Sequence, residues 1–280
     1  MSRWIAKGLK GGIHTTRFPE TVTTGEEGAP STVRVRLQGL NPAVALAASS
    51  RCPTSAISTD GSETAGELRF DAGACVLCGR CSREFPSAFT QVRDPRVAVV
   101  SRDRLRATFS WDEEHELAPV SLQATAQLLQ QATSRLFRHS LHIRHVDAGS
   151  CNGCESELQM LSSPYVDLQR LGIFFTPTPR HADVLLVTGV VTHSMTGPLL
   201  ETYAAMPSPK LVIAAGACAI SGGSFENSSL TNGPLDRLLA VDAYIPGCPP
   251  TPQALLHGLL LAVGRAGERY RAGQEEPDGA

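Results

Sequence analysis

The sequence lacks any basic excess: 25 Lys and Arg stand against 27 Asp and Glu, for a formal net charge of −2. That balance argues against a nucleic-acid binder, whose electrostatic footprint is a basic patch or stripe. It also lacks an uninterrupted apolar run of the roughly 18 residues that a membrane span requires. The best stretch, Ala254 to Val263, is broken by His257 and Gly258. The start, MSRWIAKGLKGG, carries neither an apolar signal core nor a twin-arginine pair, so export is not expected. No G-x-G-x-x-G, Walker loop or hydrolase elbow occurs, which removes the sequence support for dinucleotide, phosphate-loop and acyl-transfer chemistry. Apolar residues at 42%, with 25 glycines added, describe an ordinary globular protein, and 280 residues suit two domains better than one.

What the chain does have is cysteine: Cys52, Cys75, Cys78, Cys81, Cys151, Cys154, Cys218 and Cys248. Without a secretory signal, metal or redox chemistry is a better reading than a disulfide framework. Four cysteines precede residue 82 and four follow residue 150. Each set can close one tetrathiolate site with no thiol left over.

The organisation follows that division. Residues 1–30, rich in Gly, Thr and Arg, read as an extended arm. Residues 31–110 hold short β-type runs (Ser31–Leu37, Glu67–Phe70, Val97–Val100) around the first four cysteines. Residues 111–140 read as a connecting helix, since Leu122, Ala126, Leu129 and Leu136 recur near helical spacing after Asp112-Glu-Glu. From 141 to 270, strands are expected at Leu141–Val146, Asp183–Val187, Lys210–Ala214 and Asp242–Ile245. Helices are expected at Glu155–Leu161, Gly197–Met206 and Thr251–Ala266. That alternation predicts an α/β domain with a parallel sheet covered on both faces. Cys151, Cys218 and Cys248 each fall a few residues past a strand. Open α/β sheets bind ligands at that edge, so the three are expected to converge. Residues 271–280 read as a tail.

Cys75-Val-Leu-Cys78-Gly-Arg-Cys81, with Cys52-Pro53 upstream, has the spacing that wraps three corners of an iron–sulfur cube and takes the fourth from a remote Cys-Pro. Zinc is the alternative occupant, although zinc motifs usually come as two separated C-x2-C pairs. This run resembles the two-cluster bacterial ferredoxins. Aligned on their pattern, the ligand positions of one cluster are held by Pro42, Ala45, Ala48 and Phe85, while Cys52, Cys75, Cys78 and Cys81 complete the other. The resemblance implies an α+β ferredoxin-like domain with one cluster lost and its framework kept. Trp4-Ile-Ala-Lys-Gly-Leu followed by Gly12-Ile-His-Thr-Thr-Arg-Phe-Pro19 is similar to the opening of ferredoxin-like subunits of complex I and membrane-bound hydrogenases. Trp4, Ile5, Leu9 and Ile13 share one side of a helical wheel, as in a segment lying on a membrane surface; Gly8, Gly11 and Gly12 weaken any such helix.

Gly149-Ser-Cys151-Asn-Gly-Cys154-Glu155, Gly216-Ala-Cys218 and Pro246-Gly-Cys248-Pro-Pro250 resemble the small subunit of [NiFe] hydrogenases and its complex I relative. The resemblance runs from about Leu141 to Arg265 and includes Pro179-Arg-His-Ala-Asp183, Thr188-Gly189 and Ser221-Gly-Gly223. It implies a flavodoxin-like domain in which Cys151, Cys154, Cys218 and Cys248 hold a second [4Fe–4S] cluster, with Arg180 close to it. Glu155 and Glu157 match a C-x2-C-E-x-E pattern and face either a large-subunit interface or the helix N-terminus. His139, His142 and His145 straddle a strand start and are not expected to converge on a metal.

The resemblance therefore implies an electron-transfer subunit with two [4Fe–4S] clusters in a membrane-bound energy-converting [NiFe] hydrogenase of the formate hydrogenlyase type. Its implied partners are a catalytic large subunit, membrane-arm subunits and an electron donor, on the cytoplasmic side of the membrane. The equivalent subunit of a complex I-like quinone oxidoreductase, or of a nickel-free relative, is the alternative. A non-redox scaffold with zinc or empty sites is the third class.

Overall fold

The computed structural model describes residues 29–62, 64–111, 118–119 and 140–267, with positions 7, 10–12, 15–19, 270 and 272. In chain order the strands are β1 (Thr32–Val35), β2 (Ile57–Gly61), β3 (Gly66–Asp71), β4 (Phe89–Val92), β5 (Arg106–Trp111), β6 (Ala118–Pro119), β7 (Leu141–Asp147), β8 (Ile173–Phe175), β9 (Val184–Thr188), β10 (Leu211–Ala215) and β11 (Ala243–Ile245). The helices are α1 (Pro42–Arg51), α2 (Arg80–Glu84), α3 (Gly153–Met160), α4 (His193–Ala205), α5 (Ala217–Ser221) and α6 (Pro252–Ala262).

The first half is built from antiparallel pairs. β1 pairs with β4, and β2, β3, β5 and β6 form a second sheet in that order. Along β5 burial alternates, so Ala107, Phe109 and Trp111 face the core while the residues between them face out. The α1 helix starts at Asn41, whose side chain accepts a hydrogen bond from the Val44 N–H at 2.9 Å, with Pro42 at the first helical position. Val97–Val100 forms no regular strand. Val99 instead exchanges two backbone hydrogen bonds with Tyr244 at the β11 edge, at 3.0 and 2.8 Å.

The second half is a five-stranded sheet of order β11-β10-β9-β7-β8, every pair parallel. Numbered within this half, the order is 2-1-3-4-5 read from the β8 edge, the flavodoxin-like arrangement. β9 and β10 are buried at all five positions, as strands covered on both faces must be. The three inner strands lie one residue later than the expected limits at one or both ends. β8, three residues long and carrying exposed Phe174 and Phe175, has no alternation in the sequence to mark it. α6 begins at Thr251, whose hydroxyl caps Ala254 at 3.2 Å, and it ends at Ala262 rather than Ala266. α4 starts four residues earlier than expected and carries Pro198 in its second turn.

Two expectations change. Ala118–Pro119, inside the expected connecting helix, pairs with Ser110 and Phe109 of β5; the rest of that helix lies outside the described residues. Part of the expected extended arm is docked on the second half of the chain. The Thr16 N–H donates to the Tyr165 carbonyl at 2.7 Å, the Thr15 hydroxyl to Pro164 at 3.0 Å, and Arg170 to the Phe18 carbonyl. Phe18 is buried among Leu141, Leu158, Leu168 and Ile173. Lys7 and Lys10 are exposed, while Trp4, Ile5, Leu9 and Ile13 lie outside the described residues. Among the described residues no helix is long and apolar enough to cross a membrane.

The halves share one core. Phe70, Leu105 and Phe109 belong to the same cluster as Leu185, Ile220 and Tyr244. Tyr270 returns to β1, its hydroxyl 3.1 Å from that of Thr32, and the Ala272 N–H donates to the Arg104 carbonyl at 3.0 Å. Phe18→Ala should cost about 3–5 kcal/mol, the usual range for emptying a buried phenylalanine site. A lowered urea midpoint checks this, and an unchanged midpoint would show that the arm's dock contributes nothing.

Candidate metal centres

The first four cysteines line one hollow of about 410 Å³, its open mouth included, together with Val33, Ala48, Ile57, Phe70 and Arg80. Cys52 ends α1; Cys75 and Cys78 lie in the loop after β3, and Cys81 lies on α2. The loop turns through two left-handed residues, Leu77 at φ +54° and Gly79 at φ +69°. A leucine rarely adopts that conformation, and such residues cluster at ligand clamps. The Ile57 N–H points at Cys52 Sγ at 3.4 Å, and the backbone amides of Leu77 and Ser82 donate toward Cys75 and Cys81. Burial pushes the Cys75 thiol up most. The Leu77 amide offsets part of this, and the neighbouring Cys81, Cys52 and Cys78 raise it further, to about 12. Cys81 is raised to about 11, mainly by burial.

The second set assembles at the carboxyl edge of the parallel sheet. Cys151 and Cys154 follow β7, Cys218 follows β10 on α5, and Cys248 follows β11. The strand order reverses beside β7, where open sheets of this kind bind ligands. Asn152 takes the left-handed conformation at φ +67° before α3, as Leu77 does in the first loop. Cys154 is raised by burial first, then by Glu155, Cys218, Cys248 and Cys151. Cys218 is raised to about 11 by burial, Cys248, Cys151 and Glu155, and Cys248 is raised by burial and Cys151. Backbone contacts bring the Cys151 and Cys248 turns together: a Cβ at Gly153 would lie 3.5 Å from Cys151 Sγ and 3.8 Å from Pro249 Cβ. Gly216, at φ +88°, allows this approach: a Cβ there would lie 2.6 Å from Cys154 Sγ.

Among the described residues no three His, Cys, Asp or Glu side chains are set to hold a single metal ion. The donor set fits an iron–sulfur group: four cysteines gathered at each site, a shared hollow and backbone amides aimed at sulfur in the first, and burial that disfavours thiolate charge unless a cationic group offsets it.

Arg180 is exposed in the short turn Pro179–His181, which packs on α4. Neighbouring thiols of the set raise Cys154, Cys218 and Cys248, and Glu155 adds to the shifts of Cys154 and Cys218. Glu155 points inward: Thr188 Oγ1 donates to its Oε1, and His145 Nε2 lies 2.8 Å from Thr188 Oγ1. Thr188 was legible only as part of the Thr188-Gly189 motif, because the β7–β9 register is what sets it beside His145. His142 turns to Asp183 at 3.5 Å and stacks on Phe174; His139 lies outside the described residues.

A family model described as NADH ubiquinone oxidoreductase, 20 Kd subunit, matches residues 151–262, which contain all four cysteines of the second set. The probable membrane-bound hydrogenase subunit mbhJ of Pyrococcus furiosus is 49% identical over 119 residues, 42% of this chain and 71% of that protein. The chain belongs to this family. Formate hydrogenlyase subunit 7 of Escherichia coli (strain K12) is 40% identical over 154 residues, which is 55% of this chain and 60% of that protein. An NADH-quinone oxidoreductase subunit of Geobacter metallireducens is 47% identical over 107 residues, 38% of this chain and 62% of that protein. The 20 Kd family match leaves residues 1–150, including the first cysteine set, outside it.

Burial holds His145 below its ordinary value of 6.5, although Glu155 and Asp147 pull the other way. Between the folded and unfolded values the unfolded chain binds more protons, so stability falls as pH drops below 6.5 and levels off once folded His145 is protonated. Urea midpoints measured from about pH 7.5 to about pH 5.5 should show this loss. His145→Gln should flatten it, and an unaltered slope would reject the assignment.

Proposed function

We propose that this chain is the electron-transfer iron–sulfur subunit of a membrane-bound, energy-converting [NiFe] hydrogenase of the formate hydrogenlyase type. The observation that carries this reading is the gathering of Cys151, Cys154, Cys218 and Cys248 at one sheet edge within the family match. Cys52, Cys75, Cys78 and Cys81 would hold one [4Fe–4S] cluster, and the second set would hold another. When bound, such clusters supply one-electron redox chemistry. The protein's part is to exclude water, aim amides at sulfur and present an accessible side. Each set has one exposed thiol, Cys78 and Cys151, and three that are partly buried. In this reading Cys78 faces the electron donor and Cys151 the catalytic large subunit, with membrane-arm subunits anchoring the complex at the cytoplasmic face.

The first half is read as a ferredoxin-like domain that kept one cluster. Ala45 and Ala48 are fully buried and Phe85 packs against the same core, which supports apolar filling of the second cluster position. The cofactor-binding role of Arg180 rests on the motif around it. The likeness to an NADH-quinone oxidoreductase subunit favours the alternative of a complex I-like quinone oxidoreductase or a nickel-free relative. The sequence of the large subunit in the same complex separates the two readings: paired C-x2-C motifs for nickel and iron support the hydrogenase.

Anaerobically purified protein should contain about eight iron and about eight sulfide, as two four-iron clusters require. Cys218→Ala should remove about half of both while leaving the first site filled. Gly216→Ala should do the same through the displaced Cys154 sulfur. Full iron in Cys218→Ala would overturn the second site.

A further inference from the structure

Gly73 is buried two residues before Cys75, and Ile220 is buried two residues after Cys218 on α5. They meet across the two halves of the chain. A Cβ at Gly73 would lie 2.7 Å from Ile220 Cγ2 and 2.8 Å from Arg102 Nη1. The Gly73 φ is not in the left-handed region, so space alone excludes a side chain. The turn is locked from the other side. Asp71 Oδ1 accepts from the Gly73 N–H at 2.8 Å and from Arg102 Nη1 at 2.8 Å, while Oδ2 accepts from Arg102 Nη2. This two-point ion pair is mostly buried, with Arg102 11% and Asp71 22% exposed.

We infer that the Gly73–Ile220 contact, locked by Asp71 and Arg102, is the spacer that sets the separation of the two thiol pockets. The inference rests on the two-cluster reading above. The loop that delivers Cys75 lies backbone-first against the helix that delivers Cys218, where an Ile220 methyl and the Arg102 guanidinium fill the space at Gly73. A close-packed interior cannot absorb an added methyl without displacement. One extra carbon at Gly73 therefore moves one pocket relative to the other, although neither residue touches a sulfur. Asp71, Gly73, Arg102 and Ile220 are positioning residues.

The test uses the anaerobically purified full chain, reduced with dithionite. It combines iron and sulfide analysis with paramagnetic resonance of the magnetic interaction between the two centres, which weakens as their separation grows. The wild type should show this interaction. Gly73→Ala should keep wild-type iron and sulfide yet weaken the interaction, and Gly73→Ala with Ile220→Ala should restore part of it, since the Ile220 contact is relieved and the Arg102 contact remains. Gly197→Ala on α4, where a Cβ meets nothing within 4 Å, should leave it unchanged. Wild-type interaction in iron-replete Gly73→Ala, or a double variant as weak as the single, would overturn the spacer. If Gly73→Ala fails to fold, the double variant decides: a folded, iron-replete double variant that retains a measurable interaction supports the spacer, and its loss overturns it. About half the expected iron in the wild type would instead overturn the two-cluster reading, and the spacer with it.

Discussion

Bringing four cysteines together at a partly buried site is electrostatically unfavourable, and the fold around each cysteine set answers that constraint. The upward shifts of Cys75, Cys81, Cys154 and Cys218 express that cost directly. Burial disfavours each thiolate, and its neighbours disfavour it again. What can offset the charge is directional: backbone amides from Ile57, Leu77 and Ser82 at the first site, and room for close sulfur approach at Gly216 in the second. Neither arrangement survives in a mobile loop. Each set is therefore pinned by regular elements on several sides.

The two halves solve the problem with different architecture. The parallel sheet gives the second set a ready-made edge, because successive strands end on the same side and three cysteines follow three strand ends. The first half has short antiparallel pairs, and it encloses its sulfurs between α1, the β3–α2 loop and α2. The same local device recurs in both: Leu77 and Asn152 each hold a left-handed conformation inside a C-x2-C turn. Covalent continuity is a minor part of what joins the halves. A shared core, the Val99–Tyr244 backbone pair and the returning Tyr270 tie the two recognisable patterns together.

The trio of buried Thr188 with partly buried His145 and Glu155 follows from the same packing. Glu155 stands in the first turn of α3, directly after Cys154, and an outward direction is as compatible with its sequence position as an inward one. The tertiary contact with β9 decides for the interior, where the Thr188 hydroxyl donates to the carboxylate. A carboxylate that close to sulfur raises Cys154 further, so the residue beside a cysteine adds to the cost of its charged form.

Much of the molecule was determined by the sequence itself. Cysteine spacing divides the eight thiols into two sets, Thr251 marks the start of the last helix, and alternating strand and helix runs announce the parallel sheet, because all of these are local signals. Other features were decided only by tertiary structure. The edge strand Ile173–Phe175 is too short to carry a period. Val97–Val100 reads as a strand but contributes one bridge, since its partner lies about 145 residues away in Tyr244. The docking of Thr15–Phe18 on the second half, the inward turn of Glu155 and the meeting of Gly73 with Ile220 are contacts between distant segments. Local propensity carries no information about which distant segment fills the space beside a given residue, and close packing does.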